Sequence, residues 1–122
     1  MNFDVSKVKI FVTVPIKSIE SIRTAMCNAG AGVIGNYSFC TFASKGEGTF
    51  IPNAAANPHI GEKNKLEKVE EIKLECICDV AIVKNVLVAL RKAHPYEEPA
   101  IDIIPLIDEK EFFKGDLWME KL

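Results

Sequence analysis

The chain has 122 residues, of which 48% are apolar and 26% charged, with a formal net charge of −2. That length fits one domain of the usual ~100–150 residues, with enough apolar material for a core that needs no disulfide staples. There is no basic patch to suit a phosphate backbone and no apolar run of the ~18 residues that cross a bilayer, so neither nucleic acid nor membrane is expected as a partner.

Val8 to Val14 alternates with period two and is rich in β-branched residues, which predicts a first strand with Val8, Ile10, Val12 and Val14 on one face. Pro15 ends it, and Ser18 is placed to cap a helix whose apolar stripe is Ile19, Ile22, Met26 and Ala29. Gly30 suits the left-handed position that closes that helix. A second strand is expected at Tyr37–Phe42, then turn chemistry and a short extended piece over Lys45–Phe50. Pro52 to Asn64 is rich in Asn, Pro, Ala and Gly, and a loop of that length inside a compact domain is commonly functional or interfacial.

Glu71 to Cys78 alternates again, with Ile72, Leu74, Cys76 and Cys78 inward and Glu71, Lys73 and Glu75 outward. Asp79 is expected to cap a second helix with the stripe Val83, Val86, Leu87 and Leu90, and Arg91 and Lys92 complement the negative end of its dipole. His94-Pro95 stops it, because proline disfavours helical geometry in the residue before it. Ala100–Leu106 is the last core strand. The pattern predicts one domain over 1–122 with its core at 8–106. The extension 107–122 carries Phe112, Phe113, Leu117, Trp118 and Met119, apolar enough to pack on the core or on a neighbour.

The order strand, helix, strand, strand, helix, strand is the split βαβ arrangement. It implies an α+β, ferredoxin-like βαββαβ domain: a four-stranded antiparallel sheet with both helices on one face. The other face then meets solvent or a partner, and Ile77 with Ile101 or Ile103 would contribute apolar surface there.

The chemistry-bearing residues concentrate in His94-Pro95-Tyr96-Glu97-Glu98-Pro99. An imidazole, a phenol and two carboxyls are the types that bind a ligand or a divalent metal ion, so His94, Tyr96, Glu97 and Glu98 are the candidate ligand-binding residues, with His94 and Glu98 as the candidate metal pair. The simpler account has the two prolines shaping a rigid connection, His94 capping the helix end and Tyr96 anchoring the corner. Neighbouring Glu97 and Glu98 diverge along an extended chain, so a metal site here would need a second subunit. The glycines from Gly30 to Gly35 follow a helix rather than open one, where the dipole has the wrong sign for an anion. Cys27, Cys40, Cys76 and Cys78 include no C-x-x-C pair and are expected as buried small hydrophobes. No cysteine or serine has a base and an orienting acid nearby in sequence, so no catalytic residue is assigned.

The His94–Pro99 segment, followed by Ala100-Ile101-Asp102-Ile103, resembles the small domain inserted in proteins of the NGG-interacting-factor-three family, which also occurs free-standing. Ala25-Met26, Ala29-Gly30-Ala31-Gly32, Ile34-Gly35 and Tyr37 resemble a second signature of that family. Gly46-x-Gly48-Thr49-Phe50-x-Pro52 and Gly61 with Leu66-Glu67-x-Val69-Glu70-Glu71 do so as well. The resemblance spans roughly Val8 to Leu106. It implies a ferredoxin-like domain similar to the CutA and PII signalling proteins, which assemble as oligomers. The larger members carry a dinuclear metal centre in flanking domains whose motifs are not found in this chain. Relatives often have a histidine near the position of Lys17 or Ser18, and none stands here.

The function expected is that of a non-enzymatic binding or regulatory domain in a homo-oligomer, dimer or trimer, taking a small-molecule ligand. One alternative is a divalent-metal-binding protein using His94 and a neighbouring glutamate; another is a hydrolase, by analogy with the larger family. No cofactor is required beyond that candidate metal ion. The start of the chain, Met1-Asn2-Phe3-Asp4, lacks the pattern of a secretory signal, and the cytoplasm is the expected location.

Overall fold

The computed structural model describes residues 2–116. Strand β1 (Lys7–Pro15) sits inside the sheet because its inward residues Val8, Ile10, Val12 and Val14 are all buried. A turn of 3-10 helix leads into α1 (Ile19–Asn28), and β2 follows at Thr41–Phe50. The long β3 (Glu67–Asp79) leads through a matching 3-10 turn into α2 (Val83–Ala93), and β4 is Ile101–Leu106. All pairings are antiparallel and the order is β2-β3-β1-β4, the ferredoxin-like topology.

Ile22 and Met26 of α1 and Val86 and Leu90 of α2 are buried against Ile10, Val12, Leu74 and Cys76 of the central strands. Each fully buried Leu or Ile contributes on the order of 1.5–3 kcal/mol, so this one layer of side chains is the main source of stability. Helix α1 ends as its sequence predicts: Gly30 N–H donates to the Cys27 carbonyl at 3.0 Å and Ala31 N–H to the Met26 carbonyl at 3.1 Å, with Gly30 at φ +110°. This is the paired bonding that satisfies the last carbonyls of a helix.

The helix starts differ from expectation. Neither Ser18 nor Asp79 caps through its side chain. The 3-10 turns Ile16–Ser18 and Val80–Ile82 lead into the helices, so Asp79 lies one turn too early for α2, and its carboxylate accepts from Lys7 Nζ at 2.7 Å instead.

The second strand is also displaced. Tyr37 makes only an isolated bridge with Ile34, Phe39 has φ +56°, and regular pairing begins at Thr41 opposite Cys76. Gly32 N–H already donates to the Ile77 carbonyl at 2.7 Å and Cys40 N–H to the Gly32 carbonyl at 2.8 Å, so a looped segment occupies that end of β3. β2 instead continues through the supposed turn at Lys45–Gly48, because β3 extends back to Glu67 and offers it a partner along its whole length.

Register places Phe42, Ile77, Phe11 and Ile104 on the sheet face away from the helices, whereas Ile101 and Ile103 fall on the helix side. Lys73 Nζ lies 4.6 Å from the Phe11 ring centroid on this open face, and Lys9 pairs with Glu75 at 3.7 Å. In the extension, the Phe112 ring is 5.6 Å from that of Phe3; Leu117, Trp118 and Met119 lie outside the described residues. Among the described residues no helix is long and apolar enough to cross a membrane.

A Cβ at Gly30 would stand 2.7 Å from Ile82 Cδ1 on a positive-φ backbone. Gly30→Ala is expected to lower the unfolding free energy by about 1–2 kcal/mol in urea titration; an unchanged midpoint would contradict the packing described.

Candidate functional site

The corner between α2 and β4 organises the site. His94 N–H closes the helix onto the Leu90 carbonyl at 2.9 Å, while His94 itself is extended, at φ −77° and ψ 131°, as the residue before a proline must be. That change of direction carries its ring to β1, where Nε2 is 2.9 Å from the Thr13 carbonyl oxygen. The other ring nitrogen, Nδ1, accepts the Tyr96 backbone N–H at 3.1 Å. A carbonyl only accepts and an amide N–H only donates, so the proton sits on Nε2 and the ring is neutral. Burial pushes the imidazole below its ordinary pKa, opposed by the Thr13 carbonyl and the Glu71 carboxyl.

Tyr96 turns its ring against His94, with centroids 4.9 Å apart, and its hydroxyl donates to Glu71 Oε2 at 2.8 Å. Burial, then the Glu71 acceptor, raise the phenol well above its ordinary range, so it stays a donor. Glu71 projects from β3 on the open face, as its parity predicts, yet only 8% of it is exposed. Gly48 of β2 leaves its side chain room to lie flat, since a Cβ there would clash with Glu71 Oε1. The glycine that resembles turn chemistry is therefore a packing requirement of the strand.

The 52–64 loop folds over this pair. Asn64 N–H donates to the Pro52 carbonyl and draws the two ends together, as in a compact Ω-type loop. Asn53 Oδ1 accepts the Ala55 N–H at 3.0 Å, and Glu97 Oε1 accepts the Asn57 N–H at 3.1 Å, which ties the loop to the corner. Between loop and sheet is a cleft of about 680 Å³, mostly apolar, lined by the end of β2, the loop, Thr13, Glu71 and the corner. That volume is in the range of small-molecule sites, about 300–1,000 Å³.

Of the residues singled out from the sequence, Tyr96, Glu97 and Glu98 line this cleft. His94 lies behind Tyr96 with both nitrogens engaged by backbone groups, and is not a lining residue. Glu71, Phe50 and His59 also line it and are not among the site residues the sequence singled out. A Gly-x-Gly run ahead of a strand, in a chain with an outward glutamate on another strand, is the one signal that could have pointed to Glu71. Among the described residues no group of three or more His, Cys, Asp or Glu side chains is placed to hold a metal ion. Three of the four thiols are core groups as expected: burial pushes Cys76 up to about 12 and raises Cys27 and Cys78, which leaves them poor nucleophiles, whereas Cys40, just before β2, is only half-buried.

The fold is that of the ferredoxin-like CutA and PII-type domains. Archaeoglobus fulgidus CutA, described as a periplasmic divalent cation tolerance protein, superposes with a TM-score of 0.63 at 19% identity, over 94% of this chain and 96% of its own. Bacillus subtilis GlnK, solved as an ATP complex, does so with a TM-score of 0.57 at 12% identity, over 83% and 82%. The sequence itself is homologous to one segment of larger proteins. It is 50% identical over 103 residues to a GTP cyclohydrolase 1 type 2 homolog of Halalkalibacterium halodurans, a match covering 84% of this chain and 28% of that protein. A Bacillus cereus protein related to NIF3 aligns with a TM-score of 0.74 and 42% identity, over 88% of this chain and 27% of that one. The chain thus spans little more than a quarter of the relatives it matches. No family model matches it.

Because the folded pKa of His94 is lowered, the unfolded chain binds the proton more readily. The stability this neutral ring contributes is complete above about pH 6.5, the unfolded value, and is lost as pH falls through the lower folded value. Thermal unfolding from pH 7.5 to 5 is expected to show that loss in the wild type, with this component absent in His94→Gln. The same slope in both proteins would contradict the neutral, backbone-bonded ring.

Proposed function

We propose that this chain is a small-molecule-binding, regulatory domain of the CutA/PII-like type, acting as a homo-oligomer and performing no chemistry of its own. The observation that carries this is the cleft beneath the 52–64 loop. It is large, mostly apolar, and floored by a tyrosine–glutamate pair held in place from behind by His94. Such a construction fixes a shape and a few polar contacts, which is what recognition needs. For acid–base or nucleophilic work it is poorly suited: the phenol is raised out of the useful range and the His94 ring is committed to backbone partners.

Oligomerisation is supported by the sheet face away from the helices, where Phe42 and Ile104 are 65% and 47% exposed and Ile77 half-buried. A second copy of the chain would cover them. The relatives' names point to chemistry on GTP, and we place any such chemistry in the part of those proteins that this chain does not match. Metal binding through His94 loses support because both ring nitrogens are occupied. We place the protein in the cytoplasm, where its thiols stay reduced.

Thermal-shift screening against a metabolite and nucleotide panel, with light scattering for mass, tests both parts. A ligand at ~100 times its Kd stabilises by about 2.7 kcal/mol, so a binder is expected to raise the Tm by several degrees. The native mass is expected to be that of a dimer or trimer, falling toward monomer in Phe42→Asp. No shift with any compound, together with a monomeric mass, would overturn the proposal.

A further inference from the structure

The lining of the cleft has a charge and an aromatic pattern that define a narrower class of ligand. This step rests on the ligand-binding reading just given. Among the described residues, three carboxyl groups, Glu71, Glu97 and Glu98, line the cleft, and no lysine or arginine does. Among the described residues none of the three is ion-paired with a basic side chain. Glu71 is the important member, being more than nine-tenths buried. Tyr96 occupies its Oε2, whereas Oε1 lies against Gly48, takes no hydrogen bond from the described residues and keeps contact with solvent. A carboxyl oxygen left without a protein partner beside an apolar cleft is a ready acceptor for a hydrogen-bond-donating or positively charged group.

The second observation is independent of charge. Phe50 and His59 both stand beside Tyr96, each with ring centroids 6.4 Å from it, and all three face the same cleft. Aromatic faces around an apolar space attract a cation through the ring quadrupole, most strongly where water is displaced. A phosphate or carboxylate ligand would instead meet three carboxyl groups and, among the described residues, neither a lysine nor an arginine, the opposite of what anion recognition requires.

We propose that the cleft binds an organic cation: a primary amine or alkylammonium group carried on an apolar body. The ammonium group meets Glu71 at the floor, and the apolar body lies along Phe50 and the 52–64 loop beside the Tyr96 ring.

Three probes of one skeleton separate charge from shape: phenethylamine, 2-phenylethanol and phenylacetate, titrated calorimetrically into the full chain. The amine is expected to bind at least tenfold more tightly than the alcohol, with no measurable heat from the acid. Glu71→Gln, which retains an acceptor for Tyr96, is expected to reduce amine affinity to that of the alcohol and leave the alcohol unchanged. Should that variant fold poorly, the double variant Glu97→Gln/Glu98→Gln is expected to weaken the amine several-fold with the alcohol again unaffected. Phenylacetate binding as tightly as the amine, or an amine insensitive to every one of these substitutions, overturns the cation assignment. So does an amine that fails to bind. In that event, a neutral or anionic hit from the wider screen that disappears in Tyr96→Ala leaves the ligand site standing, whereas no hit at all removes both.

Discussion

The hydrogen bond from the Tyr96 hydroxyl to Glu71 joins two parts of the chain that the fold alone would leave to drift: the connection after α2 and the middle of β3. Everything around the cleft is arranged to permit it. Pro95 forces His94 out of helical geometry, and the His94 ring then bonds forward to the Tyr96 amide and sideways to the β1 carbonyl of Thr13. Gly48 leaves room for the glutamate side chain on the neighbouring strand. Removing one partner would strand a buried polar group, which costs on the order of 1–3 kcal/mol. The corner therefore behaves as part of the sheet, and the loop tied to Glu97 inherits that rigidity at one point.

The two strand–helix halves place their helices side by side over one face of the sheet, and this segregation decides where a site can form. The helix face is filled by Ile10, Val12, Ile22, Leu74, Val86 and Leu90, all buried. The opposite face is mixed, with Phe42 and Ile104 exposed between charged residues. The cleft lies where the long loop and the corner converge on the β2–β3 end of that face, so a ligand there would touch the loop and the sheet together. In a regulatory domain such a position can couple occupancy to whatever packs on the sheet.

Periodicity made the layer architecture legible because β1, the apolar half of β3 and both helices carry unbroken inward stripes. The α1 stop at Gly30 and the α2 stop before Pro95 were legible for the same local reason, a backbone geometry that one residue type enforces. β2 was displaced because Lys45–Gly48 has turn composition, and only a partner strand thirteen residues long, with a glutamate needing space, explains glycines inside a strand. The candidate corner was visible in its residue types. The supporting roles were legible too, His94 at the helix end and Tyr96 as the anchor; what was not is that Glu71, distant in sequence and outward by parity, becomes the buried floor. Burial of that kind depends on what the loop and corner cover, which no local pattern encodes.

The most direct test is a double-mutant cycle on the linking bond, comparing Glu71→Ala, Tyr96→Phe and the two combined by urea unfolding. The account predicts that the single losses overlap, with a coupling energy of about 1–3 kcal/mol between the two positions. Losses that simply add, to within about 0.3 kcal/mol, would show that the corner is held without this contact and would contradict the account.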